Sequence, residues 1–267
     1  VDSLTPYEVH QINYLDVLFV PTKWCADIIA KFSDVKTYVT GLGIDTEIFH
    51  PVKIVKNKPI TDFLYIGKAS LNKGTDFVLQ CFSKAFNKND NVRLWLSFFN
   101  PFVDMKLWNN NVQLSKLKEK IRIIDKLETQ LDIAKLINQS SCLLAVSRAE
   151  SWNLPLLETM ACGKPAIVTM IGGHEYSKTN NNYLIKINKM EPADDKHFFQ
   201  PGNIVNQGNW ACLDNDTEEQ CISYMRLVHQ KNIDGEIGIC TNNIERAKEF
   251  SWKNCANKIL KGINSCL

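Results

Sequence analysis

No apolar run in the sequence is long enough to span a bilayer, and no leader with a basic start and an apolar centre is visible. The nine cysteines form no C-x-x-C pair; they are scattered singly and odd in number, which suits reduced thiols rather than a disulfide framework. The expected location is therefore the cytoplasm. A net charge of +2 gives no special attraction to nucleic acid or to a bilayer. The absence of G-x-x-x-x-G-K-[ST] excludes a Walker phosphate loop. The absence of G-x-G-x-x-G after a strand disfavours a dinucleotide-dependent oxidoreductase. The chain opens on Val1 rather than Met, as a processed or excised chain would, and its 267 residues suffice for one large domain or two small ones.

What is present centres on Glu150–Gly163, read as ESWNLPLLETMACG. Asn153 is a good N-cap, its side-chain oxygen able to accept from a free backbone N–H, and Pro155 falls in the first turn, where a missing N–H costs nothing. Leu154, Leu157 and Ala161 recur at helical spacing and mark a core face. Gly163 is the expected stop. Apolar runs on either side, Cys142–Val146 and Ala166–Val168, read as strands. The local order is strand, loop with Glu150, short helix with Glu158, strand. Such a helix start offers free N–H donors and a positive dipole end to phosphate. Glu158, one turn inside, could accept both hydroxyls of a ribose. Taken alone, the two acids are read more simply as a loop charge (Glu150) and a helix-surface acid (Glu158).

Strands alternate with helices along the chain, which predicts a Rossmann-like, doubly wound parallel α/β sheet. Expected strands are Tyr14–Pro21, Val35–Val39, Asp62–Gly67, Asn91–Phe98 and Ile121–Ile124. Expected helices are Lys23–Phe32, Thr75–Phe86, Glu128–Asn138, Thr217–Gln230 and a tail from Ile244 to Leu267. Pro101–Lys120 reads as irregular, with an exposed turn at Asn109–Asn111. Residues 52–60 are polar, Lys-rich and Pro-punctuated, as a linker is. After the strand ending at Gly67 come Lys68, Lys73 and Gly74, where an α/β sheet binds anions. Asp214-Asn215-Asp216 imitates a D-x-D metal motif, but it sits at a helix start, where acids favour the dipole. His174, in Gly172-Gly173-His174-Glu175-Tyr176, fits a loop or sugar-contacting residue better than a general acid–base.

The central stretch resembles the Glu-x7-Glu signature of retaining glycosyltransferases of the GT-B fold, in particular glycosyltransferase family 4, whose text is close to E-G-F-G-L-P-x-L-E-A-M-A-C-G-x-P. Leu154, Pro155, Leu157, Glu158, Met160–Gly163 and Pro165 match; Ser151 and Asn153 replace glycines, and Trp152 replaces Phe. The family's G-R-x-x-x-x-K-G is matched by Gly67, Lys73 and Gly74, with Lys68 for the Arg. Asp16, Pro21, Trp24, Gly43, Asp45, Phe49 and Pro51 resemble the end of the family's first domain, and Ala247, Phe250, Ser251, Trp252, Ala256 and Leu260 its terminal helix.

The resemblance implies four parts: the last strand–helix units of the N-terminal GT-B domain (1–51), the linker (52–60), a C-terminal nucleotide-sugar-binding domain (61–235), and a helix that packs back on the first domain (236–267). It implies transfer of a sugar from a nucleoside diphosphate sugar to a hydroxyl on a glycan, lipid or protein. The donor would be held by Gly67, Lys68, Lys73, Trp152, Asn153, Leu154, Pro155 and Glu158, with Glu150 as the catalytic residue at the donor sugar. The nucleotide base would pack at Asp125–Leu127. No cofactor and no metal are implied, and a GDP-sugar is slightly preferred over a UDP-sugar. The absent part of the first domain, or a partner chain, would complete the site and could bring the protein to a membrane surface. The other readings are a nucleotide-sugar-binding module inactive alone and, from two spaced acids, a glycoside hydrolase; an acid inside a phosphate-facing helix is poor geometry for the last.

Overall fold

The computed structural model describes residues 1–54, 60–194 and 208–265. The chain begins with α1 (Pro6–Ile12), β1 (Leu18–Val20), α2 (Lys23–Ile29) and β2 (Thr37–Val39). The main unit follows as β3 (Thr61–Ile66), α3 (Thr75–Ala85), β4 (Val92–Ser97), α4 (Met105–Leu114), β5 (Ile121–Ile123) and α5 (Gln130–Gln139). It continues through β6 (Cys142–Ala145), α6 (Leu154–Ala161), β7 (Ala166–Thr169) and β8 (Tyr183–Ile185). The hairpin strands β9 (Met190–Pro192) and β10 (Asn209–Ala211) come next, then α7 (Asn215–Ile233), α8 (Thr241–Lys248) and α9 (Trp252–Asn264).

Six strands form one sheet in the order β5-β4-β3-β6-β7-β8, and every pairing in it is parallel. The expected doubly wound α/β sheet is therefore present. Its order reverses between β3 and β6, and a crevice opens at the carboxyl ends of strands at such a switch point. Both faces are covered, as the near-continuous apolar runs of the strands require. Phe63, Leu94, Leu96, Leu144 and Ile167 pack on one face with Val78 and Phe82 of α3 and Met225 and Val228 of α7. Leu64, Leu143, Ala145, Ala166 and Val168 pack on the other with Ile137 of α5 and Leu156, Leu157 and Met160 of α6. The alternation along β3 and β6 is the period of two that a pleated strand imposes.

The first segment is docked on this unit. Phe49 is 2% exposed and belongs to the α5–α6 core. Ile44 N–H donates to Phe250 O (2.8 Å), and Ile44 bridges Ser251. The tail returns to β1 and β2, where a Cβ at Gly262 would stand 2.5 Å from the Phe19 ring. Trp24 of α2 lies so close to Gly172 that a Cβ there would be 2.0 Å from it. The eight cysteines among the described residues are all free thiols.

Several elements differ from expectation. The strand expected over Tyr14–Pro21 is confined to β1; Tyr14 and Leu15 N–H groups instead bond back to Gln11 O and Ile12 O as a turn closing α1. Helix α1 itself carries a capping box between Thr5 and Glu8 with Pro6 at its start. Pro101–Lys120 is not irregular: Asp104 caps α4, Trp108 and Val112 face the core, and Asn109–Asn111 lie in the helix rather than in a turn. The tail is two helices, broken where Ser251 caps α9 through Asn254 N–H. The linker expected over 52–60 falls partly outside the described residues, as do the last two residues of the tail. No helix among the described residues is long and apolar enough to cross a membrane.

Candidate active site

Helix α6 forms as its sequence predicts. The Asn153 side chain accepts from Leu156 N–H (3.1 Å), Pro155 occupies the second position, and Gly163 ends the helix at φ +66°. That left-handed conformation suits a residue without a Cβ. Leu157 and Ala161 are buried as foreseen, whereas Leu154 is only partly buried. Leu154 and Pro155 instead face a cavity of about 390 Å³ at the carboxyl ends of β3 and β6.

Eight of the nine residues singled out in the sequence line this one cavity: Gly67, Lys68 and Lys73 from one side, Glu150, Trp152, Asn153, Leu154 and Pro155 from the other. Glu158 does not line it. Its carboxylate sits a turn inside α6, and no described residue donates to it; burial pushes its pKa up to about 7. Asp125–Leu127 are not among the cavity walls either. Wall residues the sequence reading missed include Leu42, from the first segment, and Tyr65, Val146 and Ser147, from strand ends.

The two loops that carry the charges are tied together. Lys73 Nζ forms an ion pair with Glu150 Oε2, with side chains 28% and 9% exposed. Burial raises the Glu150 pKa, and Lys73 opposes that rise. The Arg148 guanidinium, two residues before Glu150, makes a bidentate pair with Asp76 (both 2.8 Å) and donates to Leu71 O (2.7 Å). Arg148 N–H also donates to Asn72 O (2.8 Å). The lysine loop is thus tied to the Glu150 loop by side-chain and backbone hydrogen bonds. On its other side the Tyr65 hydroxyl shares a hydrogen bond with Thr75 Oγ1 (2.8 Å) and lies 3.3 Å from Lys73 O. Lys68 is exposed, its ammonium 4.6 Å from the centre of the Phe102 ring.

Trp152 lines the cavity but is held as core. Its ring stacks on Tyr176 at 4.4 Å and meets Phe250 edge-on at 5.1 Å. The Tyr176 hydroxyl donates to Asn153 O (2.5 Å). Gly173 lies against the Glu150 loop so closely that a Cβ would stand 2.1 Å from Glu150 O. His174 does not reach the cavity as a sugar contact would: it is fully buried, bonded to Thr169 O and to Asn153. Asp214 acts as the N-cap of α7, accepting from Thr217 N–H, and no cluster suited to a metal ion occurs among the described residues.

The profile of the family Glycosyl transferases group 1 matches residues 61–195, half of the chain. The chain belongs to the glycosyl transferases group 1 family. A relative within the viruses, uncharacterized glycosyltransferase 335 of Sulfolobus islandicus rod-shaped virus 1, is 24% identical over 247 residues, covering 82% of this chain and 70% of its own length. Among solved structures, sucrose-phosphate synthase from Thermosynechococcus elongatus superposes with a TM-score of 0.73 at 15% identity, over 97% of this chain and 60% of its own. Anabaena Alr3699/HepE, solved in complex with UDP-glucose, gives 0.69 at 13% identity, over 97% of this chain and 66% of its own. The chain thus has the α/β fold of these GT-B glycosyltransferases and spans about three-fifths to two-thirds of their length. In this glycosyl transferases group 1 chain, the family match covers β3 to β9, the segment that builds the cavity apart from Leu42.

Proposed function

We propose that this chain is the donor-binding part of a retaining, metal-independent glycosyltransferase of family 4, which moves a sugar from a nucleoside diphosphate sugar to a hydroxyl acceptor. The observation that carries the reading is the Lys73–Glu150 ion pair on the wall of a cavity that also meets the start of α6. A cation, a helix N-terminus and a buried carboxylate converge there. In the first turn of α6, Pro155 has no N–H, and Leu156 and Leu157 donate to Asn153. Leu154 N–H is left to meet an anion.

With a donor bound, the ammonium groups of Lys73 and Lys68 lie against the diphosphate and stabilise the negative charge that grows as the sugar–oxygen bond breaks. Lysine does this as a point charge, without the fork an arginine would bring. Lys73 turns from Glu150 to phosphate, and Glu150 meets the sugar, where it supports the positive charge developing on the ring. Glu158 accepts the ribose hydroxyls, which requires the nucleoside to reach past Leu154. That HepE was solved with UDP-glucose supports a nucleotide sugar as donor; for this chain a guanine base remains the preferred one.

Proton NMR of the transferred or hydrolysed sugar tests the stereochemical part. Release with the donor's anomeric configuration supports the retaining reading, and the inverted anomer overturns it.

A further inference from the structure

His174 is buried to 0% exposure, sits in the short 3-10 helix Gly172–Ser177 after β7, and takes no part in the chemistry described above. Its hydrogen bonds define its state. Thr169 O, at the end of β7, is a carbonyl and can only accept, so Nδ1, 2.8 Å away, carries the proton. The other nitrogen of a neutral ring is then an acceptor. Nε2 lies 3.0 Å from Asn153 Nδ2, which donates to it. With its NH₂ directed at the imidazole, the Asn153 amide turns Oδ1 to Leu156 N–H (3.1 Å) and caps α6. Burial holds the imidazole pKa down, at about 4, so the ring stays neutral and Nε2 stays an acceptor near neutral pH.

The two ends of an amide have nearly the same shape, so packing alone does not choose between them; the chain Thr169–His174–Asn153–Leu156 does. Asn153 stands on the cavity wall, next to Leu154 with its free N–H. A flipped Asn153 would lose the cap and point NH₂ at Leu156 N–H. The turn that holds His174 cannot drift away, because Gly173 abuts Glu150 O and the Tyr176 hydroxyl binds Asn153 O.

We propose that His174 is a positioning residue for the diphosphate end of the cavity: by accepting from Asn153 Nδ2 it selects the amide orientation that caps α6 and presents Leu154 N–H to a nucleoside diphosphate. This rests on the donor-binding reading above. Its particular content is that the imidazole acts only through Asn153.

A double-mutant cycle tests that content. The parent is titrated with UDP, GDP, ADP and CDP, and the tightest ligand is carried to His174→Phe, Asn153→Gly and the double variant. His174→Phe weakens binding about tenfold in the parent, the size of one uncompensated hydrogen bond, and less than twofold in the Asn153→Gly background. Equal losses in both backgrounds, or no loss in the parent, overturn the proposal while leaving the donor reading intact. No binding of any nucleotide by the folded parent ends the donor reading and this proposal with it. Should His174→Phe not fold, long-range ¹⁵N–¹H correlation on the parent at pH 7 decides alone. The expected spectrum has His174 protonated at Nδ1 and bare at Nε2; a ring protonated at Nε2, alone or with Nδ1, overturns the proposal.

Discussion

Lys73 and Glu150 neutralise each other on the cavity wall, each the other's ion-pair partner across two loops 77 positions apart in sequence. Burial raises the Glu150 pKa, and the Lys73 ammonium beside it opposes that rise. Donor binding must divide the pair, so the two residues answer differently to mutation.

The first consequence concerns stability. Lys73→Ala leaves the Glu150 carboxylate buried without its cation, which destabilises by about 1–2 kcal/mol once the partial exposure of Lys73 is allowed for. Adding Glu150→Gln to Lys73→Ala removes the stranded charge and recovers most of that loss. Urea unfolding of parent, single and double variants measures it; a double variant less stable than Lys73→Ala contradicts the burial argument.

Nucleotide affinity separates the two acids. On the proposed ribose role, Glu158→Ala weakens nucleoside diphosphate binding by tenfold or more, since hydrogen bonds to charged groups contribute about 1.5–3 kcal/mol each. Glu150→Ala frees Lys73 for phosphate and changes affinity by less than about threefold. Calorimetry on both variants compares them, and equal affinities for both and the parent end the ribose role of Glu158.

The pH dependence of stability follows from Glu158, whose pKa rises from its ordinary 4.5 to about 7 in the folded chain. Below 4.5 the group is neutral whether folded or unfolded and costs nothing. Between 4.5 and 7 the native state holds a proton that the unfolded state has released, so its contribution to stability falls by about 1.4 kcal/mol per pH unit. Above 7 the full cost is present. Glu158→Gln, neutral at every pH, therefore gains on the parent as pH rises through this window and matches it near pH 4.5. Denaturant midpoints of both proteins from pH 4.5 to 8 give the difference. A gap that stays constant with pH, or closes as pH rises, contradicts a half-buried carboxyl with a raised pKa.

The parts of this molecule that were legible in its sequence are those written in one short window. Asn153, Pro155 and Gly163 are start and stop signals within one helix length, and α6 forms between them. The strand runs of β3, β4, β6 and β7 carry enough apolar residues to declare themselves, and Gly67, Lys73 and Glu150 lie in the loops that follow β3 and β6. Helix α4 is hard to see in the sequence because three consecutive asparagines mask the spacing of Trp108 and Val112 behind the cap at Asp104. Tyr14 and Leu15 look like strand because they are apolar, yet both are exposed and end a helix. The Asn153–His174 pair is legible only in three dimensions: its partners lie 21 residues apart, and neither signals the other. The same holds for Arg148, whose partner Asp76 comes from the far side of the sheet's switch point.

Whether the cavity between the lysine loop and α6 receives a nucleoside diphosphate without a metal ion is decided by titrating this chain calorimetrically with UDP, GDP, ADP and CDP in the presence of EDTA. Saturable binding of one of the four at one site per chain, lost in Lys73→Ala, is the expected result. Absence of binding by the folded chain to all four, or binding that appears only when a divalent ion is restored, would contradict it.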